Sequence, residues 1–591
     1  MGLRNILKNW SGHRAAAAPA GNAAAGAAAA EELLQLGIQQ RRRAQYADAA
    51  LSLARAIELK HDCGAAHHNL GLVYLEQGHF EDAADCLELA TNFAPQLAAA
   101  HLDLGAALAQ LGRYDAAKTA LRRALELEPD SAVGWLRLGN LAKAGGNLEQ
   151  SIECYRTAIE RDSKLADAHC QLAFVLYKLG RYDEARASHA AALAVRPEFA
   201  EVHHNLGLLL LETGHPEEAL ASFERALALR PESLPTRACV AHALRDLNRL
   251  EAALAEYGAV LAQQPQFGDA VINRCYTHLM REEYAAGWRE YARRFAATGV
   301  AERGFPFREW QGEPLAGKRL LVYAEQGLGD EIMFASCVPD LQAAGARVVF
   351  ECSARLASLF ARSFPHALVH GGGKDDDKGW LKSAAPIDYQ VAVGSLPRHL
   401  RGSREAFPRS RGYLAADPRR IEVWRRRLDA EAGGLRVGIA WRGGSLRTRQ
   451  FTRSIPLGQW LPVLQQPGAQ FVSLQYGDAA HELAQLRKLH GVTVRDFSGE
   501  LSDLEELAAV IAALDLVISV DSTVAHLAGA LGRNLWILLT CSPEWRYPRH
   551  GADMPWYPSA RLFRQPRPRA WDPVLDQVRQ GLQHATGTGH V

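Results

Sequence analysis

The sequence predicts an α-helical solenoid followed by an α/β module built from two Rossmann-like halves. Small residues recur every 34 positions through the first half, whereas short β-rich runs alternate with helical stretches through the second. A segment rich in Pro and Gly separates the two patterns. At 591 residues the chain is too long for one hydrophobic core. We predict a flexible Ala-rich tail, the solenoid, a linker, an N-terminal Rossmann-like half and a C-terminal Rossmann-like half, with the bounds 1–30, 31–297, 298–317, 318–415 and 416–591.

The composition is that of a folded protein without a global charge. Hydrophobic residues make up 48% and charged residues 23%, and 67 Lys and Arg against 66 Asp and Glu leave a formal charge of +1. This balance gives no field that would favour nucleic acid or an anionic membrane. The nine cysteines include no C-x-x-C pair, which argues against zinc and disulfides and favours a reducing compartment. No aliphatic stretch approaches the roughly 20 residues of a membrane span. We therefore expect a cytoplasmic protein.

The Ala-rich run at residues 15–30 follows three basic residues and could be mistaken for a signal peptide. Alanine is only weakly apolar, and Pro19 and Gly21 interrupt the run. We therefore predict a flexible tail.

The small positions of the first half have the tetratricopeptide period. They are Gly37, Gly71, Gly105, Gly139, Ala173, Gly207 and Ala241. A second set of small residues follows each of them by twelve positions, and prolines recur where each second helix should end. Small side chains let paired helices cross closely. We predict about seven repeats and a degenerate eighth unit, from Cys275 to Phe295, that caps the stack.

Asparagine side chains recur two residues before the small positions, at Asn69, Asn205 and Asn273. Stacked repeats predict a superhelix with a long concave surface, on which amides can pair with the backbone of a bound segment. The arrangement resembles the asparagine ladders of tetratricopeptide glycosyltransferases, which implies a protein acceptor in the groove. Hydrogen bonding within a repeat is the alternative, and both stay open.

Eight β-rich runs are predicted as strands of the second half. They are Arg319–Ala324, Val348–Glu351, Tyr389–Val393, Val437–Trp441, Phe471–Gln475, Val492–Asp496, Leu516–Val520 and Leu535–Leu539. A change of connection near residues 395–434 predicts two halves that face each other across a cleft. Ligands should then bind at the carboxyl ends of the strands.

The first motif at a strand end is the turn Glu325-Gln326-Gly327-Leu328-Gly329-Asp330-Glu331. Gly327 and Gly329 allow a ligand or another backbone to come close. Asp330 at the start of a helix would present its carboxylate to the cleft. Simple capping of the helix is the alternative.

The second motif follows the strand Leu516–Val520 and begins with Asp521 and Ser522. Ser522 and Thr523 place hydroxyls at a helix start, which is an anion site suited to a diphosphate. His526 lies one turn further along the helix and can contact the same ligand. Ordinary capping and a core histidine are the alternatives.

The third motif is a basic, glycine-rich loop that begins with Trp441 and Arg442 and continues through Arg447 and Arg449 to Arg453. Arginines there can neutralise a leaving diphosphate, and Arg453 is the preferred candidate. Solvated surface is the alternative.

Further segments lie near the expected cleft. Gln475 closes a strand and can touch the nucleoside of a donor. Residues 541–547 and 556–565 follow the last strand, where a cleft wall is expected. The run Asp375–Asp377 lies between lysines in a glycine-rich loop, and we interpret it as solvated charge rather than a metal site.

Taken together, these residues resemble the heptosyltransferase-like glycosyltransferases of family 9, and more closely the bacterial proteins that fuse tetratricopeptide repeats to such a domain. The resemblance implies a GT-B-like fold, with residues 318–415 on the acceptor side and residues 416–591 on the nucleotide-sugar side. It implies Asp330 as the catalytic base and Asp521, Ser522, Thr523 and His526 as residues that hold the donor. The implied reaction is an inverting transfer from a nucleotide-sugar, with neither metal nor other cofactor.

The function implied is a protein-modifying glycosyltransferase whose repeats bind the acceptor. The bacterial fusions suggest flagellin or another abundant surface protein as that acceptor. Two alternatives are a non-catalytic adaptor with a degenerate transferase domain and a transferase of lipopolysaccharide-core sugars.

Overall fold

The computed structural model describes residues 20–300, 303–373, 377–384, 386–429, 433–444 and 450–588. The chain divides into two compact units, Met1–Leu209 and Leu210–Val591. The division falls inside the helix Ala200–Glu212, within the predicted solenoid. The repeats therefore contribute helices to both units.

The first unit is built from helix pairs, which confirms the predicted repeats. Its helices are Ala20–Arg42, Tyr46–Leu59, Gly64–Glu76, Phe80–Phe93, Ala98–Gln110, Tyr114–Leu127, Ala132–Ala144, Leu148–Arg161, Ala166–Lys178, Tyr182–Val195 and the start of Ala200–Glu212. The predicted small positions lie where the two helices of a pair cross. A Cβ atom added at Gly71 would lie 2.6 Å from Leu87 Cγ, and one added at Gly139 would lie 2.6 Å from Tyr155 Cε1. The absence of a side chain thus permits the close crossing.

A further period of 34 residues marks the turn between the two helices of each repeat. The glycines of this position have φ between 72° and 78°, which is the left-handed region. They are Gly78, Gly112, Gly146, Gly180 and Gly214. In the next two repeats Asn248 and Glu282 take the same conformation, with φ of 58° and 61°. The last two turns therefore differ chemically from the five before them.

The predicted flexible tail is wrong from Ala20 onward, because the first helix begins there. Alanine has the highest helix propensity of the amino acids. Ala30 and Leu34 are buried, so packing also holds this helix. Residues 1–19 lie outside the described residues.

The second unit begins with the remaining repeat helices. They are Pro216–Leu229, Leu234–Asp246, Leu250–Gln263, Gly268–Met280, Tyr284–Tyr291 and Arg294–Thr298. The predicted degenerate cap corresponds to the last three of them.

The first sheet of the second unit is entirely parallel, with strand order β1-β5-β2-β3-β4. Its strands are β1 Arg308–Glu309, β2 Arg319–Tyr323, β3 Arg347–Ser353, β4 Leu368–Gly372 and β5 Tyr389–Ala392. The accompanying helices are Leu328–Phe334, Val338–Ala343, Ala357–Ser363, Leu381–Ala384 and Pro397–Leu400. Strand β1 lies within the predicted linker and pairs with β5 as an edge strand of this sheet. The predicted linker is therefore part of this half.

The second sheet is also parallel, with strand order β11-β10-β9-β6-β7-β8. Its strands are β6 Leu435–Ala440, β7 Ala469–Ser473, β8 Arg495–Asp496, β9 Leu516–Val520, β10 Leu535–Leu539 and β11 Ala560–Arg564. The helices are Pro418–Asp429, Gln450–Arg453, Leu461–Leu464, Ala480–His490, Leu504–Ala513, Thr523–Ala530 and Asp572–Thr588. This order is that of the doubly wound Rossmann fold, and it confirms the predicted α/β architecture.

The topology marks a place for a ligand in each sheet. The strand order reverses between β6 and β9 in the second sheet and between β2 and β5 in the first. Ligands of doubly wound sheets bind in the crevice at the carboxyl ends of such strands. The loops that follow β2, β6 and β9 carry the three motifs identified from the sequence.

No helix in the described part of the chain is long and apolar enough to cross a membrane.

Candidate functional site

The two α/β halves meet where the helices Leu328–Phe334 and Thr523–Ala530 pack together. A Cβ atom at Gly329 would lie 2.9 Å from His526 Cδ2, so glycine is required for this approach. Gly327 precedes the first of these helices and is exposed. The first and second motifs, far apart in sequence, are thus neighbours.

Asp330 forms an ion pair across this junction with Arg546, from the segment that follows β10. Both Nε, at 3.0 Å, and Nη2 of Arg546 donate to the same oxygen, Asp330 Oδ1. No described residue donates a hydrogen bond to the second oxygen, Oδ2. Burial alone would lower the pKa of Arg546, but Asp330, Asp521 and Glu544 raise it well above its ordinary value. The guanidinium is therefore charged and holds one oxygen of the carboxylate.

Asp521 is the centre of a second buried cluster. Arg453 Nη2 donates to Asp521 Oδ2 at 2.6 Å and to the backbone oxygen of Asp521 at 3.0 Å, and Tyr547 donates its hydroxyl to Oδ1 at 2.7 Å. Burial would raise the pKa of this carboxyl, but Arg453 and Arg546 hold it below its ordinary value. Asp521 is thus an ionised acceptor that fixes Arg453 and Tyr547.

His526 is buried beside this cluster. Its Nδ1 lies 2.9 Å from the hydroxyl of Tyr557, and its Nε2 lies 4.0 Å from Asp521 Oδ1. Burial lowers the pKa of His526 to about 4, so the ring is neutral near neutral pH. A neutral imidazole can exchange hydrogen bonds with a ligand but brings no positive charge to the site.

Ser522 and Thr523 begin the helix Thr523–Ala530 and are both half-buried. The Ser522 hydroxyl pairs with that of Ser519 at 2.9 Å and does not cap the helix. The hydroxyls and first-turn N–H groups therefore stand at the edge of the Asp521 cluster, in the arrangement that binds anions at helix starts.

The third motif divides into two parts in the structure. Its Gly443 lies against Asp521, because a Cβ there would be 2.4 Å from the Asp521 backbone oxygen. Arg453 joins the Asp521 cluster as described. Arg447 and Arg449 lie outside the described residues.

The other side chains of this region form a separate cluster. Trp441 is buried in the core of its half and donates its indole N–H to Glu482 at 2.7 Å. Gln475 Oε1 accepts the backbone N–H groups of Trp441, at 3.0 Å, and of Arg442, at 2.7 Å. Arg442 donates to the backbone oxygen of Asp478 at 2.8 Å. In this structure these three residues hold the loop in place, and their direct contact with a donor stays a prediction.

The three predicted groove asparagines make hydrogen bonds within the repeats. Asn69 donates to the Ala65 oxygen at 2.9 Å, and Asn205 bonds the thiol of Cys170. Asn273 donates to the Asp269 oxygen at 2.9 Å and accepts from Arg245 at 2.5 Å. The contacts with Ala65 and Asp269 lie within a repeat, as in the alternative above, whereas Cys170 and Arg245 belong to the preceding repeats. Binding of an acceptor by these amides stays a prediction.

A cavity of about 60 Å³ lies beside Arg453 and Asp521. Glu544 lines it from the segment after β10, and Arg245 and Tyr276 line it from the repeat helices. Repeats and α/β module thus share the wall of one cavity.

Sequence reasoning singled out neither Arg546 nor Tyr547, which appeared only within the segment expected at the cleft wall. Their position directly after the buried strand β10 was the feature of the sequence that could have indicated these two residues. Among the described residues no group of three or more His, Cys, Asp or Glu side chains could hold a metal ion.

Comparison with family models agrees with this architecture. Models of the tetratricopeptide repeat match residues 64–97, 98–141, 139–180 and 164–232. The model of glycosyltransferase family 9 (heptosyltransferase) matches residues 461–572, which include Asp521 and Tyr547 but neither Arg453 nor Asp330. The chain therefore carries tetratricopeptide repeats and, over residues 461–572, a segment that matches glycosyltransferase family 9.

Among curated proteins the chain is similar to Protein FlbA of Caulobacter vibrioides. The two are 36% identical over 312 residues, which is 50% of this chain and 52% of that protein. The chain thus spans about half the length of this relative.

Solved structures resemble the chain over part of its length. The structure of pilF from Pseudomonas aeruginosa is 20% identical with a TM-score of 0.33, covering 36% of this chain and 97% of that one. The structure of YrrB, described as a TPR protein with an unusual peptide-binding site, is 20% identical with a TM-score of 0.27, covering 32% of this chain and 96% of that one.

Proposed function

We propose that this protein is a glycosyltransferase that moves a sugar from a nucleotide-sugar to a protein acceptor bound by its repeats. One observation carries the proposal: Asp330, held by Arg546, and the Asp521 cluster lie on neighbouring helices that follow the carboxyl ends of strands in two doubly wound sheets. The match to glycosyltransferase family 9 supports the reaction class. The repeats support a protein acceptor, since such arrays bind extended segments.

In the proposed reaction Asp330 is the general base. Arg546 occupies Oδ1, which leaves Oδ2 to accept the proton of the acceptor hydroxyl. The hydroxyl oxygen forms a bond to the anomeric carbon while the bond from that carbon to the diphosphate breaks. The diphosphate keeps the electron pair, and the new bond forms on the opposite face, which inverts the configuration.

The leaving diphosphate requires positive charge. Arg453 and the N–H groups at the start of the helix Thr523–Ala530 supply it in our proposal. Asp521 fixes Arg453, so the guanidinium is oriented before the donor arrives. The proposed stabilisation uses side chains and backbone rather than a metal ion.

The acceptor proposed is an abundant surface protein such as flagellin, modified in the cytoplasm before export.

The Asp330→Asn variant of the full chain tests the reaction, because the amide keeps the shape of the side chain but cannot take the proton. In cells that lack the wild-type chain, we expect this variant to leave the acceptor about 10²-fold or more less modified. Intact-mass analysis of proteins that co-purify with the full chain, with and without active enzyme, measures the sugar on the acceptor.

A matched control is Asp576→Asn, at an exposed aspartate of the last helix, which should leave the acceptor mass unchanged. If the Asp330→Asn cells contained fully modified acceptor, the protein would be an adaptor without this activity. Loss of lipopolysaccharide-core sugar with an unchanged protein acceptor would instead assign the enzyme to the lipid-linked substrate.

A further inference from the structure

Three consecutive repeat turns contact the α/β module within the second unit. At the first of them, Arg569 Nη1 donates to Nε2 of His215, which follows Gly214, at 2.9 Å. Asn248 donates its amide to the Cys541 backbone oxygen at 3.0 Å, and Glu282 accepts from Arg404 at 2.6 Å. At the last two positions the glycine of the five preceding turns is thus replaced by a side chain that bonds to the module.

The segment Cys541–Tyr547, called here the bridging segment, receives several of these contacts. The Ser542 hydroxyl donates to the Arg245 backbone oxygen at 3.2 Å. The Trp545 ring is stacked on Tyr276 of the helix Gly268–Met280, with centroids 5.6 Å apart and planes inclined by 6°. Trp288, from the following repeat helix, meets the same indole edge-on at 5.7 Å. The repeat helices therefore hold the backbone and the central aromatic ring of the bridging segment.

Arg546 follows Trp545 directly, and its guanidinium lies 4.6 Å from the centre of that indole. Such a cation–π contact restricts the guanidinium to one face of the ring. From this position Arg546 donates two hydrogen bonds to Asp330 Oδ1. A chain of direct contacts thus runs from Tyr276 through Trp545 and Arg546 to the proposed base.

The cap of the repeats also reaches the turn that carries Asp330. Arg294 donates to Glu325 at 2.8 Å, and the Gln326 amide donates to the Tyr291 hydroxyl. Both sides of the Asp330–Arg546 pair are thus supported by repeat helices.

We infer that the last repeats complete the transferase site, with Tyr276 and Trp545 holding Arg546 as the positioning residue of Asp330. The inference rests on the function proposed above. Its physical basis is that a catalytic group displaced by about 1 Å can lose about 10²-fold in rate. The helices that orient the base are then part of the same repeat array that is proposed to bind the acceptor.

The first link is tested with Tyr276→Ala and Tyr276→Phe in the full chain, by hydrogen exchange and mass spectrometry. Loss of the stacked ring should raise the exchange rate of amides in the bridging segment by about three- to tenfold, because the Trp545 stack contributes to its stability. The phenylalanine variant keeps the ring and should match the wild type. Tyr114→Ala, at a half-exposed tyrosine of the first unit, is the matched control and should leave the bridging segment unchanged.

The second link is tested with Arg546→Met and Arg546→Lys. The methionine variant should lower acceptor modification in cells by about 10²-fold. Lysine keeps the charge but not the two-pronged geometry, so partial recovery is expected. Tyr276→Ala should also lower modification, and Tyr276→Phe should restore it.

Unchanged exchange in the bridging segment of Tyr276→Ala would overturn the inference. An equal increase over all peptides of residues 210–591 would do the same, because it would show general destabilisation. If the wild-type chain modified no acceptor, the proposed function would fail, whereas the exchange data would still decide whether Tyr276 holds the bridging segment.

Discussion

Asp330 and Glu331 are adjacent carboxyl groups with different surroundings. Asp330 is paired with Arg546, whereas Glu331 is buried and accepts only the backbone N–H of Ser353, at 2.8 Å, from the described residues. Burial raises the pKa of Glu331 to about 6, and the charge of Asp330 adds to this effect. Glu331 therefore resists ionisation more than an exposed glutamate does.

The raised pKa of Glu331 makes stability depend on pH. Its folded pKa of about 6 lies above the ordinary value of 4.5, so its contribution is complete below pH 4.5 and is lost as the pH rises through 6. The loss is about 2 kcal/mol for a shift of this size. Glu331→Gln should remove this component, which urea unfolding between pH 4 and 8, followed by tryptophan fluorescence, measures. Parallel wild-type and variant curves would contradict the assignment.

The buried pair of Arg453 and Asp521 predicts a strong coupling. Arg453→Met leaves Asp521 without its nearest cation and should lower the free energy of unfolding by about 3 kcal/mol. Asp521→Asn in the same chain should recover part of this loss, because the uncompensated charge is gone. A double-mutant cycle in urea checks the prediction, and additive effects would argue against a direct interaction.

At the scale of secondary-structure elements, the repeat uses glycine for two different reasons. Gly139 is needed because Tyr155 occupies the space beside it, whereas Gly146 has open space but a φ of 78°. Gly146→Ala should therefore cost about 1–2 kcal/mol of backbone strain alone. Gly139→Ala should cost about 1–3 kcal/mol through overpacking, and a second change, Tyr155→Leu, should relieve only that cost. Thermal unfolding of Gly139→Ala and of Gly146→Ala, each with and without Tyr155→Leu, distinguishes the two mechanisms.

Strand prediction succeeded where burial was strongest. Leu516–Val520 and Leu535–Leu539 are fully buried central strands with the predicted bounds. The short edge strand β1 and the half-exposed β4 were missed, because their residues carry no continuous apolar run. The residues of strand β11 were predicted only as part of a cleft wall, because they join the sheet by pairing with β10.

At the scale of the whole molecule, the unit boundary at Leu209 predicts how the chain can be cut. A fragment that begins at residue 200 retains the repeat helices that pack on the module and should be monomeric and unfold cooperatively. A fragment that begins at residue 298 lacks Tyr276, Trp288 and Tyr291, and so uncovers Trp545 and Phe334. We expect it to aggregate, because a large apolar surface would face water.

Gel filtration and thermal unfolding of the two fragments test this boundary. Equal solubility and equal unfolding midpoints would show that the repeats from 210 to 297 do not stabilise the α/β module.

The sequence by itself determined the periodic features of this protein. The 34-residue repeat, the alternation of strand and helix and the motifs after β2, β6 and β9 depend on local burial and turn chemistry, which are visible in the order of residues. Only the tertiary structure decided that Arg546 pairs with Asp330, 216 residues away, and that the last repeats belong to the same unit as the α/β module. Such partners depend on how distant elements pack. The sequence alone does not distinguish an arginine or a tyrosine that faces solvent from one that contacts a buried carboxylate.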